Sequence, residues 1–578
     1  MVFNNLEPDI NTTCKKRISY LMIGIFIIGL LLTFKLFKIS VIEHSHYTAL
    51  AQSQRSVKKQ VYPKRGEILV HDNSENKLFA IATSEEKYSI NVVPKNVKDK
   101  SAIAKALASN LNLDEKEIFD KINNDKLYVP AIAHRVSLEI AEKIQSLNLI
   151  GILVMPEDSR IYPENNLVSH ILGFVNLEGE GNYGIEGYYN SELKGYGGII
   201  TGEKDALGSL ISLDDNSDAV SDGSDLVLTI EHNVQFMAEQ KLRQSIEKYQ
   251  ADAGSIIIMN PKTGAILAMA GNRGFDPNKF NEVAKEDQGN FLNPTISNVW
   301  EPGSVMKPLI MAMAINEGKI EPDTEEVFSN MTVVQGYEIH TAQDKAFGRE
   351  TMTQCLENSD NVCMIWVADK LGNETMHKYL ESFGFTGKTG VDLTGETSGS
   401  VAKLKDWRDI SRATMSFGQG ISATPLQVLT AISSIANGGS LMKPHVVEKI
   451  IKNDGSEIIS TEKKVAEVLS IETSAKLKAM MVSVVERGHG KKAGVTGYSV
   501  AGKTGTAQVP KPEGGYYEDQ HVGSFVGFFP ADNPQFAMLV KLDNPKNVEW
   551  AESSAAPTFG EMAKYLLNYY EIPPTKTQ

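Results

Sequence analysis

Ser304 and Lys307 are the pair on which chemistry can be built. They lie in Trp300-Glu301-Pro302-Gly303-Ser304-Val305-Met306-Lys307-Pro308-Leu309, a turn feeding an apolar run (309–315) of helical composition. Residues three apart share one face of a helix. A serine hydroxyl is a weak nucleophile until a base takes its proton. A lysine held beside it in an apolar setting has a lowered pKa and can be that base. The spacing alone is cheap: Ser-x-x-Lys also begins at Ser56, Ser74, Ser84, Ser191, Ser245, Ser400, Ser440 and Ser460. Most of those read as surface or helix-face coincidences. Ser304 stands apart because it follows Pro-Gly at a helix start and because of what comes after it.

Two further elements follow in order. Ser359-Asp360-Asn361 is a polar island in CLENSDNVCMIWVA, and Lys503-Thr504-Gly505 with Thr506 lies in SVAGKTGTAQV, a strand with an apolar lead-in. Ser-x-x-Lys, Ser-Asp-Asn and Lys-Thr-Gly in that order are the signature of serine acyl-transfer enzymes that bind penicillin. The candidate catalytic residues are therefore Ser304, Lys307, Ser359, Asn361 and Lys503, with Thr504, Gly505 and Thr506 as substrate-binding positions. Two other Lys-Thr-Gly triplets compete. Lys262-Thr263-Gly264 sits between two apolar runs and reads as a hairpin turn. Lys388-Thr389-Gly390 lies in a Gly-rich loop. Only the flanks of Lys503 place it on a strand edge, where backbone N–H groups can pair with an extended peptide.

The elements that must position these residues belong to a long chain. Its 578 residues suffice for several domains, and 42% hydrophobic and 22% charged content is that of a globular protein. With 58 basic against 72 acidic residues, the net charge of −14 argues against nucleic-acid binding. The three cysteines, Cys14, Cys355 and Cys363, give neither metal-ligand spacing nor a disulfide framework. Cys355 and Cys363 flank the polar island and are expected as unpaired core thiols, a bridge requiring that the helix break there. No Gly-rich nucleotide loop or paired-His metal motif is present, so no cofactor and no metal are expected.

Along the chain, a polar leader (1–17) ends in Lys15-Lys16-Arg17 and precedes an apolar segment (18–38). The readings are a cleaved signal peptide, a buried core helix or an uncleaved anchor. The anchor is preferred, because Ala49-Leu50-Ala51 lies too far past the apolar run to be its cleavage site. The basic cluster puts the leader in the cytoplasm. Residues 43–60 read as a polar helical stalk. An extended entry at 62–70, a strand at 88–93 and helices at 100–111 and 137–147 follow. Arg160 and Glu186 read as a buried ion pair, and His170 as a structural hydrogen-bonder. The acidic, turn-rich stretch 214–225 reads as a domain boundary. Beyond it come a strand (226–230), a helix (233–249), the Lys262 hairpin, and a mostly helical region (306–380) interrupted at 324–349. ATMSFGQG (413–420) leads into a helix (425–437). Strands at 499–509, 524–529 and 536–543 and a helix at 558–570 close the chain. Strands, then helices, then strands with a terminal helix imply an α+β domain, a sheet flanked by helices.

With these residues in view, the chain resembles the class B penicillin-binding proteins, and within them the cell-division (septal) peptidoglycan D,D-transpeptidases. The resemblance rests on the single anchor, Arg65-Gly66-x-Ile68, Arg160-x-Tyr162-Pro163 with His170 and Gly173, and Gly184-Ile185-Glu186. Asp225-x-x-x-Thr229-Ile230, Glu301-Pro302-Gly303-Ser304, the Ser-Asp-Asn triplet, FGQG and KTGTA complete it. Glu301 tilts it towards the division type over the elongation type. At Val70-His71-Asp72-Asn73 the chain departs from the family's usual Asp-Arg-x-Gly.

The resemblance implies an N-terminal anchor (18–38), an elongated α/β pedestal (43–220) and a serine β-lactamase-like transpeptidase domain (225–572). It implies a single-pass protein of the bacterial plasma membrane with its catalytic domain outside the cytoplasm. The substrate implied is a stem pentapeptide, with β-lactams as covalent inhibitors. The partners implied are a membrane glycosyltransferase and other division proteins. By the same resemblance Ser304 attacks the penultimate D-alanine carbonyl and Lys307 takes its proton. Ser359 relays a proton to the leaving D-alanine, and Asn361 holds the substrate amide and the Lys307 side chain. Lys503 and Thr504 fix the terminal carboxylate, and the N–H groups of Ser304 and Thr506 form the oxyanion hole. The alternatives are an elongation-type transpeptidase, a β-lactam-hydrolysing or β-lactam-sensing relative, and an inactive scaffold.

Overall fold

The computed structural model describes residues 10–61, 63–124, 126–127, 129–204, 210–213 and 221–576. The start of the leader and residues 214–220 of the acidic segment fall outside them. The chain divides into two compact units, residues 1–63 with 196–221, and residues 64–195 with 222–578.

In the first unit, α1 (Ile10–Phe37) continues through a wide turn to Ile42. Its stretch Cys14–Ile42, 29 residues long, reaches a mean hydropathy of 2.3 at its most apolar and is a candidate membrane span. At about 1.5 Å per residue it is longer than a ~30 Å hydrocarbon layer. The helix His44–Arg55 ends in mid-stalk and gives way to the strand Ser56–Val61, which pairs antiparallel with Gly198–Lys204. The expected helical stalk (43–60) is thus corrected: backbone pairing with a distant segment overrides local helical composition.

The second unit contains a seven-stranded sheet that joins early and late parts of the chain. Its path runs Glu457–Ile459, Val447–Ile451, Asp225–Glu231, Ile68–Asp72, Lys77–Val92 and Ala133–Val136, with Ile152–Ile161 also on Lys77–Val92. Beside it, Glu186 is fully buried and held by Arg65 at 2.7 Å, by Arg160 at 2.6 Å and by the Tyr162 hydroxyl at 3.1 Å. The expected Arg160–Glu186 pair is present, with a second guanidinium. His170 Nε2 lies 3.1 Å from the Asn290 carbonyl, and burial lowers its pKa to about 4. It is a neutral structural group, as expected.

The sheet nearest the candidate site has five antiparallel strands. They are β1 (Ala253–Met259), β2 (Ile266–Gly271), β3 (Ala501–Pro510), β4 (Tyr516–Phe529) and β5 (Phe536–Asp543), in spatial order β2-β1-β5-β4-β3. The Lys262 triplet is the β1–β2 turn, as expected. Around the sheet lie α2 (His232–Tyr249), α3 (Lys307–Asn316), α4 (Met352–Asn358) and α5 (Asn361–Leu371). Further on come α6 (Pro425–Ala436), α7 (Ile471–Glu486) and α8 (Ala555–Tyr569).

Alternate side chains of a strand point to opposite faces, and here both faces are buried. Ile256, Ile258, Phe525 and Met538 join a core with Val234 and Leu242 of α2 and Phe559 of α8. Ile257, Val526 and Leu539 join the other core with Leu309 of α3, Leu429 of α6 and Leu477 of α7. Helix α3 is buried at every position from Lys307 to Ile315, as its uniformly apolar sequence requires.

Candidate active site

Ser304 and Lys307 stand on consecutive turns of one element. Gly303–Met306 forms a tight 3-10 turn that runs straight into α3, with Pro308 in the helix's first turn where a missing N–H costs nothing. Gly303 has φ of +61°, and a Cβ there would lie 3.0 Å from Ala507 Cβ. Its N–H donates to the Gly418 carbonyl at 3.0 Å, tying the FGQG loop to the nucleophile's turn.

The polar island breaks the helix. Ser359 closes α4 in the left-handed conformation (φ 55°, ψ 42°), and Asp360 caps α5 by accepting from the Cys363 N–H at 3.1 Å. This reversal brings Cys355 and Cys363 to a Cα separation of 6.2 Å, and they form a disulfide. The expectation of unpaired thiols is therefore corrected, for the reason that made a bridge conditional: the helix breaks at the island.

The Lys503 strand, β3, is the edge of its sheet and packs against the nucleophile's turn. A Cβ on Gly505 would lie 2.8 Å from Val305 Cγ1 and 3.0 Å from the Pro302 carbonyl oxygen, so only glycine permits this contact. Thr506 Oγ1 accepts from the Ala551 N–H at 3.1 Å.

Two fully buried lysines converge on one hydroxyl. Lys307 Nζ donates to Asn361 Oδ1 at 2.8 Å, to the Ser359 carbonyl at 2.5 Å and lies 3.1 Å from Ser359 Oγ. Lys503 Nζ lies 3.0 Å from the same Oγ, 3.1 Å from the Thr504 carbonyl and 3.3 Å from Thr504 Oγ1. Burial, with the neighbouring Lys503 charge, holds the Lys307 pKa well below the ordinary lysine value, while Asp360 opposes the shift. Burial brings Lys503 down to about 7. One ammonium and one free amine are the natural occupants of such a pair at neutral pH. Ser359 Oγ can accept from the first and donate to the second.

The structure brings Ser304, Ser359, Asn361, Thr504 and Thr506 to the wall of one cleft of about 690 Å³. Lys307 and Lys503 are buried beside it. The Ser304 hydroxyl is not among the hydrogen-bond partners of Lys307 here. Nucleophile–base contacts of this kind commonly tighten only with substrate bound. The Lys388 triplet lies elsewhere, its Thr389 and Gly390 N–H groups donating to Glu396 at 2.7 and 3.1 Å.

Three groups support the site: Glu301, which sequence reasoning used only as a mark of subtype, and two that it passed over, the His340 carbonyl and Glu350. Glu301 accepts from the Gly420 N–H at 3.0 Å and from the Tyr516 hydroxyl at 2.9 Å, joining the FGQG loop and β4 to the turn before Ser304. The His340 carbonyl accepts from Asn361 Nδ2 at 3.0 Å. Glu350, on the strand Gly348–Thr351, accepts from Asn358 Nδ2 beside Ser359. Glu301 carried a signal in its Glu-Pro-Gly-Ser string; the other two carried none.

A buried two-lysine site under a serine at a helix start, beside an edge strand, defines a serine acyl-transfer enzyme. The family model for the penicillin binding protein transpeptidase domain matches residues 254–564, and that for the penicillin-binding protein dimerisation domain matches 60–228. Stage V sporulation protein D of Bacillus subtilis is 33% identical over 98% of this chain and 88% of its own length. Peptidoglycan D,D-transpeptidase FtsI of Escherichia coli K12 is 30% identical over 89% of this chain and 85% of its own. The crystal structure of penicillin binding protein 3 from Mycobacterium tuberculosis complexed with aztreonam superposes with a TM-score of 0.70. It is 26% identical and covers 90% of this chain and 98% of that one. The chain belongs to the class B penicillin-binding proteins, of the division and sporulation type.

Proposed function

We propose that this peptidoglycan D,D-transpeptidase works through an acyl-enzyme on Ser304. Ser304 Oγ attacks the carbonyl of the penultimate D-alanine, and its proton passes to neutral Lys307 Nζ. The oxyanion is held by backbone N–H groups of Ser304 and Thr506. The C–N bond then breaks, and the leaving D-alanine amine takes a proton through Ser359. Lys503 and Thr504 hold the terminal carboxylate, Gly505 lets β3 approach, and Asn361 orients both the substrate amide and Lys307. An amine from a second stem peptide attacks the ester, the C–O bond breaks, and the proton returns to Ser304.

The observation that carries this reading is the convergence of Lys307 and Lys503 on Ser359 Oγ. A buried pair of cations is costly, so the site favours one neutral amine, and a neutral amine is the base that the serine needs. Residues 43–220 serve as a pedestal and 225–572 as the transpeptidase domain. Helix α1 anchors the chain in the bacterial plasma membrane with the leader inside. The relatives named for division and sporulation support a role in septal wall synthesis, with a membrane glycosyltransferase and other division proteins as partners.

The test is intact mass after exposure to a labelled penicillin, for wild type and Ser304→Ala. A lasting adduct on wild type alone supports the reading. No adduct on folded wild type refutes it, and an adduct that vanishes within seconds points to a hydrolase. Depletion in the cell separates the roles: blocked septation with continued elongation supports the septal one, and rounding of cells refutes it.

A further inference from the structure

Asp360 is fully buried between the two polar residues of its triplet. Its Oδ1 caps α5, but its Oδ2 is buried and receives no donor among the described residues. Another acid stands beside it: Glu350, only 2% exposed, accepts from Asn358 two residues before Asp360, and its carboxyl is within hydrogen-bonding reach of the Asp360 side chain. Two carboxylates face each other with no donor between them. Such a contact holds only if a proton occupies it.

We propose that Glu350 keeps its proton and donates it to the orphaned Asp360 carboxylate, and that this hydrogen bond positions the Ser359–Asn361 turn and keeps the charge beside Lys307 at one negative unit. This role deepens the assignment of Lys307 as base and rests on it. Burial, and then the hydrogen bond and charge of Asp360, push the Glu350 carboxyl up to about 7, against the Asn358 hydrogen bond and the Lys345 charge. Asp360 in turn raises the Lys307 pKa against burial and Lys503.

Charged and polar neighbours surround the pair, with Asn358 donating to Glu350 from α4. Glu326 stands opposite Glu350 in register on the strand Glu325–Phe328. Lys345 precedes the Glu350 strand, and the Cys355–Cys363 bridge comes from α4 and α5. Lys307, from α3, lies within the field of Asp360, and Lys503, from β3, adjoins Lys307. While Glu350 holds its proton the two side chains carry one charge between them, and once it is lost they carry two. The second charge strains the turn and keeps Lys307 protonated, so acylation falls on the alkaline side. Both acids are positioning residues, since neither lines the cleft.

The experiment is the second-order rate of acylation by a fluorescent penicillin against pH, with melting temperature at each pH, on the full-length protein in detergent. In Glu350→Gln the amide donates to Asp360 at every pH. The alkaline limb of the wild type should vanish, leaving the variant about threefold or more faster at high pH and within about twofold at pH near 6. In Asp360→Asn the new amide donates to the Glu350 carboxylate. The alkaline limb should again vanish, and the rising limb should move to lower pH. An alkaline limb unchanged in folded Glu350→Gln, or in Asp360→Asn where the first variant does not fold, overturns the proposal.

Melting temperature tests the Glu350 proton without activity. The Glu350 pKa is raised on folding, so its stabilisation is present at low pH and lost as pH rises through about 7. That loss should be present in wild type and absent in Glu350→Gln, and a loss of equal size in both overturns the proposal. Wild type that shows the loss but never acylates refutes the role of Ser304 while sustaining the Glu350 proton.

Discussion

Replacing Gly505 with alanine tests how closely β3 must meet the nucleophile's turn. The new Cβ would stand 2.7 Å from Ser524 Oγ, 2.8 Å from Val305 Cγ1 and 3.0 Å from the Pro302 carbonyl oxygen. The serine hydroxyl can rotate away. The other two atoms belong to the turn that carries Ser304 and cannot move without it. Opening the Val305 contact from 2.8 Å to the 3.4 Å of ordinary van der Waals contact moves β3 and the turn apart by about 0.6 Å. Overpacking of this kind costs roughly 1–3 kcal/mol of stability. A misplacement of about 1 Å at a reacting centre costs on the order of a hundredfold in rate, so acylation should fall by about tenfold or more. The assay is the second-order rate of labelling by a fluorescent penicillin, with urea unfolding on the same preparation. A Gly505→Ala protein that acylates within about twofold of wild type refutes the tight-seating argument.

The Lys503 pKa is depressed on folding, so between about 7 and the ordinary lysine value the unfolded chain binds the extra proton and stability rises with pH. In Lys503→Met that rise should shrink in pH-dependent urea unfolding, and an unchanged slope would count against a buried, proton-poor Lys503. Replacing Cys355 and Cys363 together with serine opens a loop of eight residues' separation. Chain entropy then predicts a loss of about 2.5 kcal/mol in a denaturant titration, and no loss would mean the bridge does not form. Glu186→Gln leaves Arg65 and Arg160 buried without a full countercharge. It should cost roughly 3–5 kcal/mol, and a cost below about 1 kcal/mol would show that the pair is solvated.

What the sequence disclosed and what it hid have a common explanation. Ser304, Lys307 and Lys503 were legible because the chemistry demands those types at short spacings, with a Pro-Gly turn or an apolar strand to mark each. The Lys262 decoy was separable because its flanks predicted a hairpin, and β1 and β2 form one. Glu350 and Tyr516 reach the site only through tertiary packing, with no local pattern announcing them. The cysteine bridge depended on a left-handed backbone at Ser359, a conformation that a serine side chain does not advertise. The strand Ser56–Val61 was missed for a related reason: its partner lies more than a hundred residues away, and Lys58-Lys59 conceals its alternation.

The seven-stranded sheet has a mechanical meaning. Ile68–Asp72 lies parallel to Asp225–Glu231, which is also bonded to Val447–Ile451, and Thr229 Oγ1 donates to the Ile266 carbonyl of β2 at 2.6 Å. A pull on the chain near Arg65, directed along the strand, loads these backbone bonds in shear. They share the load and do not open one at a time like a zipper. Tension entering there is delivered to the strand that leads into α2, through pairs at Leu226, Val227 and Glu231 on either side of a register shift. Through Thr229 that strand is also bonded to the sheet whose far edge carries Lys503, so a tug near Arg65 has a hydrogen-bonded route towards the site.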